Sequence, residues 1–172
     1  MYYILIALAL TFLAAGATFF IKSDNIPSPI ADTNQDTEVP EPVQKNQSKT
    51  LDLSGQNLTQ VPGSVLGRTD IEVLDLSHNN LDGALPAEIR NMRNLRTLDL
   101  SDNNFTGVPA EVGQLTNLEV LDLSNNPITG LPHEIGNLKN LRVLDLRGTD
   151  YATADLEVIK KGLSKEVEIK TD

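Results

Sequence analysis

The sequence predicts an α/β solenoid: a short right-handed stack of coils sharing one parallel concave sheet, preceded by a transmembrane helix and a disordered linker. Three observations carry that prediction. The tetrad Leu-Asp-Leu-Ser stands at residues 51–54, 74–77, 98–101 and 121–124, and Leu144-Asp145-Leu146-Arg147 changes only the Ser, so successive starts are 23, 24, 23 and 23 residues apart. A fixed period in this range marks an array of supersecondary units. The residues between the tetrads fall into recurring columns. The apolar set is rich in Leu and lacks Trp, which suits a thin aliphatic core stacked along one axis.

Residues 1–22 are expected to form an N-terminal transmembrane anchor or a signal peptide. From Tyr2 to Ile21 there are twenty residues without a charge. As a helix rising ~1.5 Å per residue they would span about 30 Å, the thickness of a bilayer core. Tyr2, Tyr3 and Lys22 stand where interfacial anchors usually stand. Ala15-Gly16-Ala17 has the form of a cleavage site, which would release a secreted domain. Against cleavage, the apolar run continues through Phe19, Phe20 and Ile21, with no basic stretch before it. Lys22 alone would favour a cytoplasmic C-terminal side. The order of short N-terminus, one span and then a domain argues for export.

Residues 23–49 read as a linker, with Pro27, Pro29, Pro40 and Pro42 among scattered acids and amides. Its few aliphatics have no period, so burial cannot offset ordering entropy, and the segment is expected to be a disordered spacer.

Residues 50–172 hold about five repeats. After Leu-x-Leu comes a polar column, Gln56, Asn79, Asn103, Asn126 and Thr149. Then follow an apolar column (Leu58, Leu81, Phe105, Ile128, Tyr151) and a proline column (Pro62, Pro86, Pro109, Pro132). A further apolar column is Val65, Ile89, Val112 and Ile135, and Met92, Leu115 and Leu138 precede Leu95, Leu118 and Leu141 by three residues. On these columns the chain resembles the leucine-rich repeat family over residues 51–146 and, more loosely, to residue 172. The 24-residue coil containing Leu81-Asp82-Gly83-Ala84-Leu85-Pro86 is similar to the plant-type repeat, while its 23-residue neighbours are similar to the bacterial or intracellular type. The resemblance implies a binding scaffold. Because animal members often use disulfide caps, the lack of Cys in an exported domain implies a bacterial source.

Local physics gives the same picture. Alternation in Leu74-Asp75-Leu76 puts Leu inward and Asp outward on a short strand. The Asn column is expected to turn the chain off the sheet, bonding backbone of its own and the next coil. Pro86, Pro109 and Pro132 suit the first position of a helical turn, with Glu88, Glu111 and Glu134 near its positive end. Residues 154–162 read as a capping helix with Thr153 as N-cap and Gly162 at the C-terminus. Val167-Glu168-Ile169, 23 residues after Leu144-Asp145-Leu146, reads as a sixth, closing strand. The first coil is expected to be nearly bare.

The formal net charge is -10, of which -8 lies beyond residue 49. Such a surface disfavours nucleic acid and anionic lipid heads and suits basic proteins or cations. The outward strand positions make the candidate partner-binding face. One row is Asp52, Asp75, Asp99, Asp122 and Asp145, continued by Glu168; a second, milder row includes Val73, Val120 and Val143; Arg147 and Lys170 close a row of serines. A weak Ca²⁺ site at Asp75, Asp99 and Asp122 is one reading of the stripe; repeat consensus without function is the other. Crowding is expected to raise the central carboxylates' pKa. With His78 and His133 apart and no Cys, neither an enzyme nor a cofactor is expected. The expected function is protein recognition by a membrane-anchored, monomeric repeat domain. The alternatives are a self-associating envelope module and a cytoplasmic-facing adaptor.

Overall fold

The computed structural model describes residues 49–172. The expected membrane segment and all but the last residue of the linker lie outside them. Among the described residues no helix is long and apolar enough to cross a membrane.

Six strands of three residues each, β1 (Thr50–Asp52), β2 (Val73–Asp75), β4 (Thr97–Asp99), β6 (Val120–Asp122), β7 (Val143–Asp145) and β8 (Glu168–Lys170), pair in parallel in that order. Each begins one coil of the stack. Their middle residues stand in one row, Leu51, Leu74, Leu98, Leu121, Leu144 and Ile169. From Leu74 to Leu146 both leucines of every tetrad have 0% exposure. Each such burial stabilises by about 1.5–3 kcal/mol, so the repeated pair specifies the core. Leu51 and Leu53 are half-buried against it, as the first coil has one neighbour among the described residues.

The chain leaves the sheet at a left-handed residue directly after the Ser column: Gly55, His78, Asp102, Asn125 and Gly148, with φ between 53° and 63°. The turn is therefore made one residue earlier than the Asn column. Small polar side chains and Gly tolerate that backbone best. The asparagines then lock it from inside. Asn103 Nδ2 donates to Leu100 O and Ser101 O of its own coil and to Leu76 O of the preceding one, while its Oδ1 accepts from Leu81 N. Asn79 and Asn126 do the same. The amides thus reach back to the preceding coil, not forward to the next.

β3 (Asp82–Ala84) and β5 (Asn104–Gly107) form a second, two-stranded parallel sheet that the sequence reading missed, and its register slips between Gly83 and Ala84. Gly83 pairs with Phe105 and Ala84 with Gly107, so the unpaired residue of the bulge is Thr106, on the strand of the 23-residue coil.

The prolines sit one position earlier than expected. Pro62, Pro86, Pro109 and Pro132 are extended (ψ 129°–156°) and cap α1 (Gly63–Leu66) or the 3-10 turns Ala87–Asn91, Ala110–Gln114 and His133–Asn137. Each carbonyl accepts the first turn's N–H, from Val65, Ile89, Val112 and Ile135. This satisfies a helix-start donor without a side chain. Glu88, Glu111 and Glu134 lie in the first turns, as read.

The C-terminal helix α2 spans Thr153–Gly162, and its N-cap is Ala152, not Thr153. Gly162 is no left-handed cap either. A Cβ there would lie 2.5 Å from Gly136 O, so glycine is present for close packing on the last 3-10 turn. The closing strand exists with a register two residues from that expected. Leu144 pairs with Ile169 and Asp145 with Lys170. The longer helical coil consumes the two extra residues, and an even shift keeps the inward face inward. It also replaces a like-charge Asp–Glu neighbour by an opposite-charge pair.

Candidate binding surface

The sheet's outward side chains form rows along the solenoid axis. The first runs Thr50, Val73, Thr97, Val120, Val143 and Glu168, and the second Asp52, Asp75, Asp99, Asp122, Asp145 and Lys170. Val73, Val120 and Val143 are half-buried, as are Asp75, Asp99 and Asp122, and Asp52 is exposed.

Each of the first four aspartates binds the Ser two residues on. Asp99 Oδ1 accepts from Ser101 N at 2.9 Å and Ser101 Oγ at 2.7 Å, and the same pair recurs at Asp52, Asp75 and Asp122. This pins the strand end, so Ser77, Ser101 and Ser124 are buried beneath the row. Among the described residues the Oδ2 atoms have no hydrogen-bond partner, so one oxygen per carboxylate is open. Burial pushes the Asp99 carboxyl up, the Ser101 bonds pull it back, and the charges of Asp122 and Asp75 add to the rise. Crowding is therefore the lesser cause. The bonds from Ser54 hold the exposed Asp52 below its ordinary value.

The row ends differently from its beginning. Asp145 is 2% exposed, so it does not present the open carboxylate expected of it. Arg147 donates to both its oxygens, at 3.0 and 2.6 Å, and Lys170 Nζ lies 3.9 Å away. The Arg147 guanidinium, chiefly, holds the Asp145 carboxyl below the usual range. Four open carboxylates are thus followed by a cationic end in which Arg147 is exposed.

Asp145's lowered pKa makes its contribution present above the unfolded value of about 4 and lost as pH falls through the folded value. Asp99, raised, works the other way, gaining stability as it protonates. Arg147→Ala is expected to lower Tm by several degrees at pH 7. Thermal melts from pH 7 to 2 should show that difference shrinking as Asp145 protonates; a constant difference would assign the loss to packing of the arginine stem.

The weaker reading of the stripe, a Ca²⁺ site at Asp75, Asp99 and Asp122, gains no support from the geometry. Among the described residues no three His, Cys, Asp or Glu side chains stand close enough to hold a metal ion. The Asp75, Asp99 and Asp122 oxygens nearest each coil's turn are already committed to serines. The histidines have separate partners, His78 with Asp102 and His133 with Asp155, each at 3.4 Å.

One row went unread in the sequence. Lys49, Glu72, Arg96, Glu119 and Arg142 alternate in charge along the strand entrance, two residues before each Leu-Asp-Leu. Lys49 pairs with Glu72 and Arg96 with Glu119. Beside them Asn94, Asn117 and Asn140 donate to Thr69 O, Arg93 O and Thr116 O of the preceding coil. Together Glu72, Asn94, Arg96, Asn117, Glu119 and Asn140 line an open groove of about 360 Å³. Its signal was the strict spacing of the charges. These pairs are exposed and mutually satisfied, so they order the edge more than they offer it to a partner.

The family model described as leucine rich repeat matches residues 48–105 and 93–150, between them more than half of the chain. Receptor-like protein 41 of Arabidopsis thaliana is 44% identical over 64 residues, 37% of this chain and 7% of that protein. A leucine-rich repeat protein of Leptospira interrogans superposes with a TM-score of 0.60 at 39% identity, covering 65% of this chain and 28% of that one. The ectodomain of the Arabidopsis receptor kinase HAESA, solved with an IDA peptide hormone ligand, gives 0.61 at 30% identity, covering 72% and 22%. The chain spans less than a third of each of these proteins. It belongs to the leucine-rich repeat family.

Proposed function

We propose that residues 50–172 are a protein-recognition domain that binds its partner on the outward face of the sheet and performs no chemistry on it. In this reading residues 2–21 anchor the chain in a membrane, residues 23–49 are the tether, and the repeats lie on the extracytoplasmic side. The observation that carries it is the register: a half-exposed β-branched row runs beside four carboxylates, each with one open oxygen. A basic protein segment complements that pattern, and net charge -10 steers it there. The HAESA ectodomain, a similar solenoid, was solved holding a peptide. That relation supports a binding role and names no partner for this chain.

The test is affinity capture with the full chain beside an Asp75→Asn, Asp99→Asn, Asp122→Asn chain. Asn keeps the Oδ1 acceptor for each Ser while removing the charge. A partner held by the native face should be weakened about tenfold or more by the triple change and by raised salt. Capture indifferent to the three substitutions would remove the face from the proposal. Protease added to intact cells that leaves residues 50–172 uncut would remove the extracytoplasmic placement.

A further inference from the structure

We infer that the partner segment is a basic amphipathic α-helix lying along the solenoid axis, with its N-terminus over the first coil and its C-terminus over Arg147 and Lys170. This rests on the binding face proposed above and adds the conformation, direction and length of what it binds.

The first argument is spacing. Asp52, Asp75, Asp99 and Asp122 stand on adjacent parallel strands in strict register. Adjacent strands are about 4.8 Å apart, so the row of four is ~14 Å long. A helix presents one residue per turn on a given face, with a pitch of ~5.4 Å, so four basic residues at i, i+4, i+7 and i+11 span about 16 Å. The accumulated mismatch is ~2 Å, within the reach of Lys and Arg stems. An extended strand repeats its face every ~6.8 Å and drifts by about 6 Å over the same row. A polyproline helix, at ~9.3 Å per turn, meets every second carboxylate and leaves half the charge unpaired.

The second argument is the neighbouring row. Val73, Thr97 and Val120 lie two residues before Asp75, Asp99 and Asp122 on the same strands, about 6.6 Å away. They are half-exposed and their outer atoms are methyls and a hydroxyl. A helix carries an adjoining row at a similar lateral distance, so a basic row flanked by an apolar row fits both at once. On the far side Ser77, Ser101 and Ser124 are buried and do not stand up against the helix, while the exposed His78 lies one residue beyond them.

The third argument is polarity. The carboxylate row is open at Asp52 and closes at Asp145, where Arg147 and Lys170 bring positive charge to the surface. A helix has a partial positive charge at its N-terminus and a partial negative charge at its C-terminus. Its favourable direction is therefore N-terminus to the acidic coils and C-terminus to the cationic end. The same cations repel a fifth basic side chain, which limits the basic row to four.

The experiment titrates the full chain with two capped peptides of about 18 residues and identical composition. One places Lys at i, i+4, i+7 and i+11 with an adjoining Leu row; the other places Lys at every second position. The helical-pattern peptide should bind about tenfold or more tighter and gain helical circular dichroism on binding. The Asp75→Asn, Asp99→Asn, Asp122→Asn chain should erase the advantage. A paramagnetic tag on the peptide's C-terminus should broaden residues near Arg147 and Lys170, and not those near Asp52. Tighter binding of the alternating peptide, or tag effects at Asp52, overturns the helix or its direction while the face remains. If neither peptide binds but a captured partner depends on the three aspartates, the inference fails and the face survives. If the captured partner is also indifferent to them, both fail.

Discussion

Asn103→Ala is expected to lower the unfolding free energy by about 4 kcal/mol, since the one buried N–H left unpaired costs roughly 1–3 kcal/mol and each of three further hydrogen bonds lost about 0.5–1.5 kcal/mol. Asn103 is 7% exposed and serves three carbonyls, Leu76 O, Leu100 O and Ser101 O, and one N–H, that of Leu81. Alanine leaves the Leu81 N–H without a partner and takes one bond from each carbonyl, although Leu76 O still accepts from Asn79 Nδ2, Leu100 O from Asn126 Nδ2 and Ser101 O from His78 N. Two of the lost bonds cross to the preceding coil, so the loss falls on the interface between coils. In a solenoid that interface is what makes neighbouring units cooperative. At the C-terminal end the same column holds Thr149, whose Oγ1 donates to Leu146 O at 2.7 Å and, among the described residues, bonds nothing in the preceding coil. Asn103→Thr should therefore fall between native and Ala, keeping a bond within its coil while losing those across. Urea unfolding of the three proteins should give the order Asn, Thr, Ala, with Tm falling by on the order of 15 °C for Ala. Equal midpoints would show that solvent, not the amide, satisfies those groups.

That column was visible in the sequence because its chemistry and its spacing coincide. The same holds for the paired leucines and for the extra residue of the second coil, which lies between Leu81 and Pro86. Other features have a spacing but no distinctive residue type. Gly55, His78, Asp102, Asn125 and Gly148 share a left-handed backbone and little else, so nothing in their identities announces a common turn. The closing strand is the reverse case. Val167-Glu168-Ile169 keeps the 23-residue period and the alternation, yet α2 takes up two more residues and Ile169 becomes the partner of Leu144. Two residues either way leave the same face inward, so hydrophobic alternation cannot distinguish the registers. The burial of Asp145 followed from that shift, since it brings Lys170 beside it. In the proposed binding face, then, the positions of the four leading carboxylates and the valine row were legible. Where the acidic row stops was set by a tertiary event, the docking of α2.

Gly113→Ala is expected to cost about 3 kcal/mol, the upper part of what overpacking usually costs. Gly113 is buried in the 3-10 turn Ala110–Gln114, and a Cβ there would lie 2.3 Å from Glu134 O and 2.7 Å from Glu134 C. Its φ is not left-handed, so the demand is for space alone. Both obstacles are backbone of the next turn, His133–Asn137, and cannot rotate aside. Relief requires separating two coils, which also lengthens contacts among Val112, Leu115, Ile135 and Leu138, all at 0% exposure. Arg90 occupies the aligned position one coil earlier, with its side chain 3.6 Å from Glu111. A Cβ is thus tolerated between the second and third coils and excluded between the third and fourth. The control is Gly107→Ala, where a Cβ meets nothing within 4 Å and φ is not positive; it should stay within about 0.5 kcal/mol of native. Hydrogen exchange should locate the damage. Strand amides on both sides of the Gly113–Glu134 contact should lose protection, while Leu74 and Leu76, further along the stack, retain more of theirs. If Gly113→Ala melts with the control, the third and fourth coils have slack that their contact distances do not show, and the stack is held by its asparagine ladder more than by the fit of its convex turns.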